Sequence, residues 1–198
     1  HAKDRRQRQM CIRDRPGDAQ KQTAEIMGAP SSESVVVTFG RFNPPTTGHE
    51  KLLKSASAEA ERSKSDFRVY PSRSVDSKKN PLQPGTKIEY MQKMFPDYAD
   101  NIKDDANART IFDVLVACQN IGYKAVTIVV GQDRLSEFQS LAQKYNGDLY
   151  EFEEIKVISA GTRDADAEGL EGMSDSKMRD AAAVQKHHAI ALFMTRNR

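Results

Sequence analysis

A doubly wound α/β domain built on a parallel sheet is what this sequence predicts, on three observations. Short apolar runs such as Val35-Val36-Val37-Thr38-Phe39 and AVTIVV at 125–130 lack polar alternation, as strands buried on both faces require. Stretches of 10 to 16 residues with apolar residues at helical spacing separate them. The chain's 198 residues are enough for one ordinary domain with its own core.

The elements follow in order. After the strand at 35–39, Leu52, Leu53, Ala56 and Ala60 predict a helix from Thr47 to about Arg62. Phe67 to Tyr70 reads as a weaker strand, and a Ser-, Lys- and Pro-rich loop runs on to Pro84. Pro84 suits a helix start, Ile88, Met91 and Phe95 mark one face, and Pro96 ends it. The polar link that follows holds a candidate short strand near Ile102. Arg109 to Ile121 reads as a helix stopped by Gly122, with Cys118 on its core face. After the strand at 125–130, Asp133 is expected to cap a helix carrying Leu135, Phe138, Leu141, Ala142 and Tyr145, which Asn146-Gly147 closes. Leu149 to Phe152 and Ile155 to Ser159 supply the last strand material, and another helix begins near Ser174 to Ser176.

The excess of two positive charges lies wholly before residue 35, where seven basic residues face five acidic ones; beyond it there are 23 of each. A neutral body offers no general footprint for nucleic acid, so anion binding has to come from a few placed residues. The first 34 residues lack periodicity and read as a disordered leader, and RQRQMCIRDR resembles a translated sequencing-adapter scar. The domain is expected over 35–198, with a C-terminus that reads as truncated. Two cysteines, Cys11 and Cys118, suggest neither a disulfide framework nor a metal knuckle and fit a cytoplasmic setting. No apolar run approaches the roughly 20 residues of a membrane span, and none follows the basic leader as a secretory signal would need.

In a doubly wound sheet ligands bind beyond the carboxyl ends of the strands, which directs attention to the residues after Phe39, Val130 and Ser159. The first place reads GRFNPPTTGHEKLL. Gly40 ends the strand, Pro44 and Pro45 stiffen the turn, and Gly48-His49 enters a helix whose N-terminal N–H groups suit an anion. Thr46 and His49 can donate to phosphate oxygens, and Arg41 adds a charge. The third place leads to GMSDSKMRDAA, where Ser174, Ser176, Lys177 and Arg179 would cluster two hydroxyls and two cations, as a triphosphate tail wants. By itself that segment is equally a capped surface helix. His187 and His188 are adjacent and would point about 100° apart on a helix, so they make no metal pair.

Together the two segments resemble the paired signatures of the nucleotidyltransferase superfamily that includes nicotinamide-nucleotide and phosphopantetheine adenylyltransferases and the cytidylyltransferases. The first signature is matched by Thr46-Thr47-Gly48-His49 after a family-like GRFNP, the second by Met173 to Arg179 in place of I-S-S-T-x-x-R. Gly131-Gln132-Asp133 is similar to the Gly-x-Asp after the family's fourth strand. KNPLQPGTKIEYMQKMFPD and SAGTRDADAEGLEG are similar to segments of phage-encoded members, so the resemblance covers 35 to about 185. Asp175 replaces a small polar residue, and Thr rather than His opens the first signature.

The resemblance implies a Rossmann-like fold of the HUP type and transfer of a nucleoside monophosphate to a phosphate-bearing acceptor with release of pyrophosphate. It implies His49, Thr46 and Arg179 as catalytic residues. Nucleotide contacts fall to Gly40, Arg41, Phe42, Gly48, Ser174, Ser176 and Lys177, and acceptor contacts to Gly131, Asp133, Arg109 and Arg163. Mg2+ is expected with the triphosphate rather than in a protein cage, and assembly into a homo-oligomer is a family habit. The expected reaction is adenylyl transfer from ATP to nicotinamide mononucleotide. The alternatives are cytidylyl transfer from CTP to a small phosphorylated alcohol, and a catalytically weak nucleotide-binding module of a phage protein.

Overall fold

Successive valines of the first strand face opposite covers, which fixes a sheet with helices on both sides. The structure, a computed structural model, describes residues 30–76, 80–161 and 180. In chain order it contains β1 (Ser34–Gly40), α1 (Thr47–Ser63), β2 (Asp66–Pro71), α2 (Pro84–Met94), a 3-10 turn (Pro96–Asn101), α3 (Ile111–Ile121), β3 (Ala125–Val130), a 3-10 turn (Gln132–Arg134), α4 (Leu135–Lys144) and β4 (Glu154–Ser159). The described strands form one all-parallel sheet in the order β2-β1-β3-β4. This is the doubly wound, Rossmann-like arrangement that the sequence predicts.

On one face Val35, Val37, Tyr70, Val126, Ile128 and Val130 pack against α3 and α4 through Val114, Leu115, Cys118, Phe138 and Ala142. On the other, Val36 and Val129 meet Ala56 and Ala60 of α1. Val69 lies with Leu53 of α1 and with Ile88 and Met91 of α2. Small residues on α1 let that helix lie close to the sheet. Cys118 is wholly buried, and burial pushes its thiol up to about 12, so it is an inert core residue.

Three local expectations change. The strand near Ile102 is a single parallel bridge to Val69, completed by Lys103 N–H donating to the Val69 carbonyl at 2.8 Å. Leu149 to Phe152 is not a strand: Tyr150 and Phe152 plug the core while both amide atoms of Asn146 bond the Phe152 backbone at 2.9 and 3.1 Å. Asp133 caps nothing, because the 3-10 turn intervenes and leaves Arg134 at the cap position of α4. The helix expected near Ser174 lies outside the described residues. Among the described residues no helix is long and apolar enough to cross a membrane.

The chain winds from β1 outward to β2, then returns to place β3 on the other side of β1. The switch point is therefore between β1 and β3. Pairing across it runs only from Ser34–Ala125 to Val37–Ile128, whereas β1–β2 pairing continues to Gly40–Pro71 and β3–β4 pairing to Val130–Ser159. The central strands thus part before their ends and open a crevice. Thr38 stands at this divergence, its Oγ1 buried without a hydrogen-bond partner among the described residues.

Candidate active site

The loop leaving β1 is shaped by what Gly40 lacks. A Cβ there would sit 3.1 Å from the ring of Phe42, which folds back over the strand end. Phe42 adopts φ 46°, a left-handed conformation that costs a non-glycine residue about 1–3 kcal/mol, and it is fully buried in return. Its side chain therefore does not face the crevice. It supports His49 from behind, ring centroids 4.7 Å apart. Asn43, also buried, accepts the Leu82 N–H through Oδ1 at 3.2 Å and precedes Pro44 through a cis peptide bond. The loop is thereby pinned to the segment that enters α2.

Thr46 is extended at φ −137° and serves as the N-cap of α1, placing Thr47, Gly48 and His49 in its first turn. The His49 ring reaches back over that turn. Its Nδ1 accepts the Thr46 backbone N–H at 3.0 Å and lies 2.9 Å from Thr46 Oγ1. A backbone N–H can only donate, so this contact requires a lone pair on Nδ1 and puts the ring proton on Nε2. His49 thus fills the role that Glu or Gln takes in a capping box. It is also fixed in the tautomer that presents a donor at the N-terminus of a 17-residue helix. The Nε2 donor and the positive end of the helix dipole together suit an anion at the start of α1.

A second loop meets the first at the end of β2. Ser72 N–H donates to the Gly40 carbonyl at 2.7 Å. Lys87, fully buried on α2, sends Nζ to the carbonyls of Arg41, at 3.0 Å, and Ser72. Burial and then the neighbouring Arg73 charge push its ammonium down to about 8. Beyond Ser72 lies a half-open cleft of about 530 Å³ lined by Arg73, Ser74, Pro84, Ala106 and Arg109. Arg73 is held by Asp104 at 2.5 Å across this region.

Arg109, expected from the sequence, is thus placed in a cleft with Arg73 and Ser74, which were not. Lys87 was missed as well. The signal for it was present: Lys87 stands four residues before Met91 and beside Ile88, on the apolar stripe of α2 rather than on its wet face.

On the far side of the switch point, Gly131 and Asp133 form a compact turn. A Cβ on Gly131 would fall 2.6 Å from Asp133 Oδ1, so only glycine lets that carboxylate fold back beside the end of β3. Arg41 gives its carbonyl to Lys87 and keeps its side chain exposed. Arg163, Ser174, Ser176, Lys177 and Arg179 lie outside the described residues. Among the described residues no group of three or more His, Cys, Asp or Glu side chains could hold a metal ion. The donors at α1 suit phosphate oxygens rather than a bare cation.

A solved structure provisionally named as a nicotinate-nucleotide adenylyltransferase from Vibrio parahaemolyticus is similar at 17% identity, covering 76% of this chain and 86% of that one with a TM-score of 0.49. A search of curated proteins returned no match. The family model described as cytidylyltransferase-like matches residues 37–181, a span that starts within β1 and takes in both loops, the Gly131 turn and the second signature. The chain belongs to the cytidylyltransferase-like family.

Proposed function

We propose that this protein is a nucleotidyltransferase that moves AMP from ATP onto a phosphate-bearing acceptor such as nicotinamide mononucleotide and releases pyrophosphate. Membership of the family supports nucleotidyl transfer. The observation that carries the reading is His49, held by Thr46 with its proton on Nε2 at the start of α1 beside the switch point.

The acceptor phosphate is already an anionic nucleophile, so the protein has no proton to remove and no covalent intermediate to form. Its task is to align the two phosphates and stabilise charge at the α-phosphorus. His49 Nε2–H, Thr46 and the first-turn N–H groups of α1 would meet α- and β-phosphate oxygens, with Arg41 adding charge. Arg179, Ser174, Ser176 and Lys177 are assigned to the leaving pyrophosphate. Asp133 and Gly131 would contact the acceptor, together with Arg109 and, on the same assignment, Arg163. Mg2+ would arrive on the triphosphate oxygens, supplying charge neutralisation there.

Cytidylyl transfer from CTP to a small phosphorylated alcohol is the second reading, favoured by the description of the matching family. Purified protein is incubated with ATP or CTP and a panel of phosphorylated acceptors, and pyrophosphate is measured. Release with ATP and nicotinamide mononucleotide is the expected result. Release only with CTP selects the second reading. Nucleotide binding by calorimetry with no release from any pair overturns both, in favour of a binding module.

A further inference from the structure

Of the buried ionisable groups in the described structure, Lys87 has the least conventional surroundings. A buried ammonium is ordinarily matched by a carboxylate, because taking a charge out of water without one is costly. Lys87 Nζ has two backbone carbonyls instead, and these belong to different loops. Arg41 lies in the loop that carries Phe42 and, a few residues on, Thr46 and His49; Ser72 begins the loop that continues into Arg73 and Ser74 of the cleft. The charged groups on the described parts of these loops are the cations Arg41 and Arg73 and the anion Asp76. Asp104 is taken by Arg73 at 2.5 Å, and Asp76 accepts from Asn80 at 2.6 Å. Pro84, one turn earlier on the same helix, lines the cleft itself.

We propose that Lys87 is a positioning residue: its buried side chain ties the phosphate loop after β1 to the cleft loop after β2, and so sets the separation between the two halves of the site. Other direct links between the two segments are the Ser72 N–H bond to the Gly40 carbonyl, at 2.7 Å, and, farther along both, the Leu82 N–H bond to Asn43 Oδ1, at 3.2 Å. Without the lysine the two carbonyls lose charge-assisted donors, and near the strand ends the loops are joined by the Ser72–Gly40 bond alone, with Asn43–Leu82 farther out. Lys87 touches no reacting atom; it acts through the placement of Arg41, Phe42 and the residues that follow.

The proton on Nζ gives the tie a signature that an ordinary packing residue lacks. The amine releases its proton near pH 8 when the tie is closed, against an ordinary value of 10.5 in water. Opening the loops hydrates Nζ and restores the higher value, so open forms bind more protons than closed ones. By linkage the tie becomes harder to open as pH rises from about 8 towards 10.5. Between pH 7 and pH 9 the open population should fall about tenfold.

Hydrogen exchange of the Ser72 amide on the full chain, corrected for the intrinsic rate, reads this without any substrate. Wild type is expected to exchange about tenfold more slowly at pH 9 than at pH 7. Lys87→Arg, which keeps donors but cannot lose its proton, should show no such change. Lys87→Met should show none either, and should lower turnover about tenfold at saturating substrate with Lys87→Arg partly restoring it. A pH-independent rate in wild type, or the same slowing in a variant, overturns the tie. So does unchanged turnover in a folded Lys87→Met protein that releases pyrophosphate. If the methionine variant does not fold, wild type and the arginine variant decide. The turnover arm rests on the nucleotidyl-transfer reading, but exchange does not. Slowed exchange without pyrophosphate release leaves the tie standing and removes that reading, and the opposite pair of results does the reverse.

Discussion

His49 is asked to do two things with one ring. Nδ1 accepts from the Thr46 N–H and finishes the first turn of α1, which leaves Nε2 as the donor that the proposed chemistry would use. Removing the ring separates the two roles by magnitude. His49→Ala should cost about 1 kcal/mol of stability, as loss of a cap does. It should cost two to three orders of magnitude in turnover, as loss of one transition-state donor does, or about 3–4 kcal/mol. Thermal melting and pyrophosphate release measure the two; a folded variant with turnover near wild type would refute the assignment. Gly131→Ala makes a complementary test. Its new Cβ would displace the Asp133 carboxylate, 2.6 Å away, without touching the core. We expect stability within about 1 kcal/mol of wild type and at least a tenfold rise in KM for the acceptor with KM for the triphosphate unchanged. An unchanged acceptor KM would remove Asp133 from acceptor binding. At this scale the sequence was informative where a residue announces its chemistry, as His49 and Gly131 do. Where burial supplies the role the cue was positional only: Lys87 stands on the apolar stripe of α2, and a lysine bonded to carbonyls leaves no partner motif to find.

The elements were legible for a different reason. Strands β1 and β3 are buried on both faces, so their apolar runs are continuous, and α1 and α3 show their buried stripes at helical spacing. Short segments fared worse. The Ile102 bridge is fixed by Val69, distant in sequence, and the Gln132–Arg134 turn by the local Arg134 N–H bond to the Gly131 carbonyl, and no periodicity spans two or three residues. Tyr150 and Phe152 look like alternate strand positions but are held as core plugs by Asn146. Helix α1 matters most for the proposed function, because its sheet-facing side determines where its N-terminus points. Leu53, one turn after His49, is fully buried between Val69 and α2. Leu53→Ala should destabilise the protein by about 2–5 kcal/mol, the range for a buried leucine whose site collapses only partly. Chemical denaturation checks this; a loss below 1 kcal/mol would mean that α1 is not anchored by this contact. Because the same side chain steadies the first turns, nucleotide affinity should weaken in the variant even where most of the protein is folded.

At the scale of the whole molecule, the two ends of the sheet are treated in opposite ways. The carboxyl ends of β1 and β3 diverge at the candidate site, while the amino-terminal edge is fastened by a polar chain. Tyr123, leading into β3, donates through its hydroxyl to Asp66 at the start of β2 at 2.6 Å and accepts from buried Arg68 Nε at 2.9 Å. Asp66 also takes hydrogen bonds from the Ser31 N–H and hydroxyl. Burial tends to raise the Asp66 carboxyl, but the hydrogen bonds from Ser31 and Tyr123 outweigh it and hold the group below its ordinary value of 3.8. A carboxyl lowered in this way contributes stability above its ordinary value and loses it as pH falls through the folded one. The fastening should therefore fail in acid, below pH 3.8, and hold throughout the neutral range. Tyr123→Phe removes the shared hydroxyl, leaving a buried guanidinium and a carboxylate each short of a partner, and should cost about 1–3 kcal/mol at pH 7. It should also shrink the acid loss, because Asp66 then moves back towards its ordinary value. Melting curves of both proteins from pH 2.5 to 7 test the pair of effects. A variant that loses stability at pH 7 yet keeps the wild-type acid profile would show that the hydroxyl acts through Arg68 and not through the Asp66 carboxylate. If the edge is an independent fastening, nucleotide affinity at pH 7 should be unchanged in the folded variant, since the opened end of the sheet keeps every contact that shapes it.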